Sequence, residues 1–218
     1  MEQYKDARAN MVDCQLRPNQ VTDHDLIEAF LSTPREKFVS SNYAPLAYAD
    51  RSLMLSSERV MMPPMFLAKV LQECHITKKD IILDVACGRG YGCAILSKLS
   101  STVVGVENNI KLVNLANKAL TELAADNTAV VEGDIEVGLP EQGPYDVILI
   151  EGGICTVPES YKEQLSLGGR LILFEMTGGR NGHAVLYIKS TTTTSRRILF
   201  DAHLPVLPGF AEKTSFSF

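Results

Sequence analysis

Leu83–Ala94, "LDVACGRGYGCA", is the stretch that decides the fold. A short apolar run leads into glycines at alternate positions, Gly88, Gly90 and Gly92, and then directly into residues at helical spacing. A strand that feeds a helix through a glycine turn is the opening of a β-α-β unit. Glycine suits that turn because the backbone bends tightly and a ligand approaches where a Cβ would collide. The unit predicts an open sheet whose ligands bind outside the carboxyl ends of its strands, where the strand order reverses.

From Ile81 onward the same alternation recurs: "IILDVAC", "GYGCAILSKL", "TVVGVE", "IKLVNLANKALTEL", "TAVVEGD", "YDVILIEGG", "PESYKEQL" and "GRLILFEM", with one short helix-poor link. Nearly continuous apolar strands separated by amphipathic helices predict an α/β fold. The sheet is expected to be doubly wound, mostly parallel and Rossmann-like, with helices on both faces. "HAVLYIKS" and "RRILFDAHL" have no helix between them and are joined by a Thr-run turn, so an antiparallel pair is expected at the sheet's edge.

Before Ile81 the pattern is helical, without a strand of comparable strength. "VTDHDLIEAFLSTPREKFV" offers Thr22 as N-cap with Asp25 three residues on, then Leu26, Ile27, Phe30 and Leu31 at helical spacing, and Pro34 restarts the chain as a short helix. In "ERVMMPPMFLAK", Glu58–Lys69, Pro64 suits a first helical turn, and an apolar face continues to Leu71.

Composition narrows the class without choosing a function. The 218 residues are 45% hydrophobic and 22% charged, ordinary for a globular chain able to bury one sizeable core. The net charge of −5 lacks the basic excess of a general nucleic-acid binder, and Arg196–Arg197 is too small a footprint. Five cysteines without a CxxC pair suggest neither a disulfide framework nor a zinc knuckle, and fit a reducing compartment. The first ten residues carry charge where a signal peptide would be apolar, and no apolar run approaches the ~18 residues of a membrane span, so a soluble, cytoplasmic chain is expected. The four histidines are scattered, and no metal site is expected.

The glycine turn selects among nucleotide-type ligands. A phosphate-binding P-loop needs Gly-Lys-Ser/Thr, which is absent, and a dinucleotide fingerprint needs glycine where Cys93 stands. The looser G-x-G-x-G fits S-adenosylmethionine, and Asp84 before the turn can orient that cofactor's ammonium group. Glu107, roughly 20 residues past the first glycine and ending the second strand, can accept both ribose hydroxyls of S-adenosylmethionine or of NAD. Asp134, after the third strand, can accept from the adenine amino group beside the Ile135 backbone. Cys87 and Arg89 of the turn, Asn108 after Glu107, and Glu151 at the end of the fourth strand complete the expected cofactor set. An ordinary turn and solvated loop acids are the alternative for each taken singly.

The chain resembles the protein-L-isoaspartate O-methyltransferases over nearly its whole length. The resemblance runs through "MVDCQLRPNQVTDHDLIEAF", "TPREKFVSSNYAPLAYADRSL", "LDVACGRGYGCAIL", "YDVILIEGG" and "QLSLGGRLIL". It implies one methyltransferase domain over 1–218, with a helical substrate-side region at 1–78 and a cofactor-binding core at 79–218. It further implies transfer of a methyl group from S-adenosylmethionine to the free carboxylate of isoaspartyl residues in damaged proteins, with S-adenosylhomocysteine as product.

One departure concerns the acceptor. The family keeps Thr-Ile-Ser just before the helix at Pro64, with hydroxyls close to the transferred methyl; here Val60, Met61 and Met62 stand at those positions. Ser56 or Ser57 can replace the donors, or the acceptor differs, or the chain binds the cofactor without isoaspartyl repair. Glu151 stands where family members carry a small or hydroxyl residue and would repel an anionic substrate, while its alternative role is that of a loop carboxylate capping N–H groups. Asp50, matching a recurring acid, either shapes the substrate pocket or braces a loop. A cofactor-binding protein with a degenerate acceptor site is the second hypothesis, and an NAD-dependent oxidoreductase the third.

Overall fold

The computed structural model describes residues 3–178 and 181–211; residues 1–2, 179–180 and 212–218 of the expected domain lie outside that description. In the N-terminal region, α1 (Lys5–Met11) runs on into a wide helical turn at Val12–Leu16, and α2 spans His24–Ser32. The cap of α2 is Asp23 rather than Thr22: the Asp23 carboxylate accepts from the Leu26 N–H at 3.0 Å. Thr22 stands one residue too early, its own N–H bound to Gln72. The restart after Pro34 is a single 3-10 turn, Arg35–Phe38.

This region also holds strands that the sequence pattern did not predict. β1 (Leu53–Met54) and β2 (Val60–Met61) pair antiparallel as a small hairpin. Two-residue strands are too short for a period-2 pattern to register. α3 follows as Pro64–Glu73, with Pro64 in its first turn as expected.

The sheet is built from β3 (Ile81–Val85), β4 (Thr102–Glu107), β5 (Thr128–Glu132), β6 (Tyr145–Ile154), β7 (Leu165–Met176), β8 (Gly182–Lys189) and β9 (Thr194–Asp201). Between these strands lie α4 (Tyr91–Ser97), α5 (Ile110–Glu122) and α6 (Glu159–Glu163). The strand order is β5-β4-β3-β6-β7-β8-β9. The first five in that order run parallel, β8 is antiparallel to β7, and β9 is antiparallel to β8 at the edge.

The sheet separates two apolar layers, as a strand's alternation requires. Ile82, Val147, Leu149 and Ile172 join the N-terminal region, α3, α4 and α5 in one layer. Leu83, Ile148, Ile150 and Leu173 join Tyr161 of α6 and the C-terminal Leu207 and Phe210 in the other. From β3 the chain winds one way through β4 and β5 and then returns to place β6 on the other side. The order therefore reverses between β3 and β6, and the crevice lies at their carboxyl ends.

Candidate active site

The turn after β3 shows why glycine is needed there. Gly88 and Gly90 have φ of +59° and +83°, in the left-handed region that costs glycine little, and Gly90 is the N-cap of α4. A Cβ on Gly88 would also stand 2.6 Å from Leu55 Cδ1, so the β1–β2 hairpin rests directly on the turn. Gly92 differs in kind. It is helical, and a Cβ there would stand 2.0 Å from Glu151 Oε1 and 2.9 Å from Asp84 Oδ2.

At the end of β4, Glu107 is fully buried and its carboxylate is saturated. Oε2 accepts from Arg59 Nε at 2.8 Å and from the Gly88 N–H at 3.1 Å. Oε1 accepts from Arg59 Nη2 at 2.9 Å and from the Asn109 N–H at 3.1 Å. Arg59, buried with it, also donates to Asn108 Oδ1 at 2.7 Å and to the Glu58 carbonyl at 2.9 Å. Two parallel N–H···O bonds make this a fork-to-carboxylate pair, the strong form of charge-assisted hydrogen bond.

A second buried group of charges lies deeper in the crevice. Between the pairs Leu149–Ile172 and Gly153–Phe174, β6 advances four positions against two in β7, and this bulge contains Glu151. Bulges re-aim side chains, and here the Glu151 carboxylate meets that of Asp84 beside Gly92. Burial raises the Asp84 carboxyl to about 7, against the lowering effect of hydrogen bonds from Cys93 and Glu151. Burial, and then the charge of Asp84, hold Glu151 well above the usual carboxylate range. Two carboxyls in contact away from water cannot both ionise cheaply, so the pair shares a proton near neutrality.

Arg35 faces this pair from the N-terminal region. It is fully buried, donates from Nε to the Ala47 carbonyl at 2.7 Å and from Nη2 to the Met62 carbonyl at 2.5 Å, and lies 4.5 Å over the Tyr91 ring. Arg35 Nη1, Tyr91 Oη, Asp84 Oδ1, Glu151 Oε1 and Arg89 Nε are buried without a hydrogen-bond partner. Such orphaned polar atoms are rare in protein interiors and concentrate where a ligand completes the set.

The remaining expected residues are distributed unevenly. Cys87 is buried in the turn and its carbonyl accepts from the Gly90 N–H, whereas Asn108 is exposed. Asp134 is exposed and folds its Oδ1 onto the Glu136 N–H at 2.8 Å; Ile135 is buried, its carbonyl taken by the Tyr161 hydroxyl. Asp50 accepts from the Met65 N–H at 3.3 Å, a brace for the start of α3. Ser57 is exposed in the hairpin loop, and Ser56 accepts from the Glu58 N–H, so their described contacts do not bring them to Val60 or Met62. Val60 is half-buried and Met62 almost wholly enclosed.

The structure places Asp84 near the end of β3 and Glu107 at the end of β4, and it places Glu151 in a bulge inside β6 and not at that strand's end; sequence reasoning missed the cations that face them. Arg59 stands in the quoted "ERVMMPP" and Arg35 in "TPREKF", but a charge 48 residues from its partner leaves no periodic trace.

Comparison with known proteins agrees with the fold. The family model for protein-L-isoaspartate(D-aspartate) O-methyltransferase matches residues 7–197. The protein-L-isoaspartate O-methyltransferase of Protochlamydia amoebophila is 39% identical, covering 75% of this chain and 78% of its own. That of Koribacter versatilis is 36% identical, covering 76% and 75%. A solved protein-L-isoaspartate O-methyltransferase superposes with a TM-score of 0.82 at 28% identity, covering 93% of this chain and 66% of that one.

Proposed function

We propose that this chain, which belongs to the protein-L-isoaspartate(D-aspartate) O-methyltransferase family, is an S-adenosylmethionine-dependent methyltransferase that esterifies the free carboxylate of isoaspartyl residues in proteins. The observation that carries the reading is the extent of the match: it takes in the N-terminal region and the cofactor crevice together, not the sheet alone.

The residues of the crevice suit the cofactor. The left-handed Gly88 and Gly90 form the tight side-chain-free turn such a cofactor would lie against, Glu107 is an acid at the ribose position, and the orphaned Asp84 and Glu151 oxygens suit an ammonium group. Arg89 of the turn, with Cys87 and Asn108, borders that path, and Asp134 with the Ile135 backbone would meet the adenine edge. The cofactor supplies a methyl group already activated by its sulfonium. The acceptor carboxylate is itself the nucleophile, so the chain needs no strong base. Its work is to align the two and to exclude water, which supplies most of the acceleration in such a transfer.

Methyl transfer to an isoaspartyl peptide, with the aspartyl peptide as control, tests the activity, and turnover confined to the isoaspartyl peptide is expected. Calorimetry with S-adenosylhomocysteine against NAD tests the cofactor separately. A second reading, a cofactor-binding homologue with another acceptor, is favoured by one observation: Val60 and Met62 bring no hydroxyl where an anionic acceptor needs donors. Tight cofactor binding without turnover on the peptide would decide for it. The charge balance, the five free thiols and the lack of a membrane-length apolar helix among the described residues support a cytoplasmic location with protein or peptide substrates, rather than nucleic acid or membrane.

A further inference from the structure

Glu107 raises a problem of capacity. A carboxylate offers about four lone-pair sites, and all four are taken: two by the Gly88 and Asn109 N–H groups and two by the Arg59 fork. A ribose diol brings two O–H donors and finds no acceptor position left. The backbone donors belong to the turn and to the start of α5, and they hold the carboxylate where it is. The Arg59 pair is the exchangeable half, because its two bonds lie on one edge of the carboxylate and can be replaced by two adjacent hydroxyls.

Arg59 is not an isolated side chain. Its carbonyl accepts from the Leu55 and Ser56 N–H groups at 2.9 and 3.2 Å, which closes the β1–β2 hairpin, and Leu55 packs on Gly88. The space enclosed by Phe38, Leu55, Met61, Cys87, Arg89, Tyr91 and Glu151 admits no water-sized sphere. The hairpin thus covers the glycine turn and plugs the ribose acid in one piece. Its outgoing strand continues into Met62, whose carbonyl is held by Arg35.

We propose that Arg59 is an internal competitor for the cofactor site: the ribose diol displaces its guanidinium from Glu107, and that exchange loosens the 53–61 hairpin that leads into the acceptor segment. The proposal rests on the ribose role assigned to Glu107. It makes cofactor binding and remodelling of the acceptor side one event, so the acceptor segment is released only when the methyl donor is in place. A buried ion pair must be broken to admit a neutral diol, and this lowers the wild-type affinity in proportion to the small fraction of open molecules.

The test uses the full chain and S-adenosylhomocysteine. Calorimetry on wild type, Arg59→Ala and Arg59→Lys is expected to give affinity roughly tenfold or more tighter for Arg59→Ala, with Arg59→Lys between, since lysine keeps the charge without the fork. Hydrogen exchange on wild type is expected to speed at the Leu55 and Ser56 amides on saturation with the ligand. Equal affinities in all three proteins overturn the proposal and leave the cofactor assignment standing. Weaker binding by a folded Arg59→Ala overturns it by making Arg59 a cofactor ligand. Binding by none of the three overturns the cofactor assignment itself and the proposal with it. Because Arg59→Ala leaves Glu107 uncompensated and can fail to fold, the wild-type exchange experiment decides alone: unchanged protection at Leu55 and Ser56 overturns the proposal.

Discussion

Glu151 and Gly92 contend for one volume: a Cβ on Gly92 would stand 2.0 Å from Glu151 Oε1 and 3.1 Å from its carboxyl carbon. Gly92 is helical, so in open surroundings alanine would stabilise α4 by roughly 0.5–1 kcal/mol. Next to Glu151 the sign reverses, because the buried carboxylate must leave its place beside Asp84. Gly92→Ala is therefore expected to destabilise the wild type and to cost markedly less in a Glu151→Ala background, where the 2.9 Å approach to Asp84 Oδ2 is the close contact that remains. A double-mutant cycle by urea unfolding should give a coupling of about 1 kcal/mol or more. Additive effects would mean that the two side chains do not compete.

The Asp84–Glu151 pair predicts a particular pH dependence. Asp84 is raised from 3.8 to about 7, by burial first and against its contacts with Cys93 and Glu151; Glu151 is raised by burial and then by Asp84, against the charge of Arg35. A raised carboxyl binds its proton more tightly folded than unfolded. Its contribution is complete below the unfolded value and is lost as pH climbs through the folded value. Glu151→Gln removes one of the two charges. The stability of Glu151→Gln relative to wild type should grow from pH 5 to pH 8, by an amount on the order of 1–3 kcal/mol. A difference that stays flat over that interval would exclude a shared proton.

The parts of this site that could be read from sequence are those with local signals. Strands buried on both faces are written as apolar runs, and Gly88 and Gly90 stand where a strand must turn into a helix, so the crevice and its acids Asp84, Glu107 and Glu151 were legible. Arg59 was not, because an ion pair spanning 48 residues obeys no period. Thr22 and Asp23 are adjacent and both are good caps, and only the bond from the Leu26 N–H chooses between them. Gly92 read as one more turn glycine, whereas its reason is a carboxylate arriving from a bulge in β6.

Restoring the family hydroxyls should have unequal consequences. Val60 is half-buried in the hairpin, and Val60→Thr is expected to cost about 1 kcal/mol or less. Met62 is 1% exposed, so Met62→Ser opens a cavity and should cost about 2–5 kcal/mol. A hydroxyl donated to a carboxylate contributes about 1.5–3 kcal/mol, so Val60→Thr should raise kcat/KM on an isoaspartyl peptide by roughly tenfold or more. Urea unfolding checks the first pair of values and steady-state methyl transfer the last. An unchanged kcat/KM would mean that the missing donor is not what limits the acceptor.

Arg35 is where stability and the Val60–Met62 segment meet. Its fork donates to the Ala47 and Met62 carbonyls while its plane lies over Tyr91. A lysine ammonium cannot bridge two carbonyls and stack at once, and each carbonyl left unpaired in the interior costs about 1–3 kcal/mol. Arg35→Lys is therefore expected to lose about 2–4 kcal/mol in urea unfolding. Arg17→Lys, at an exposed pair with Asp13, should lose less than about 0.5 kcal/mol and serves as the control. The functional effect should be just as selective. Arg35 holds the Met62 backbone, in the segment proposed to meet the acceptor, and makes no described hydrogen bond to the glycine turn, so KM for an isoaspartyl peptide should rise severalfold while the affinity for S-adenosylhomocysteine stays within about twofold. A parallel loss of both would mean that Arg35 supports the whole crevice and not the path from Met62 into α3.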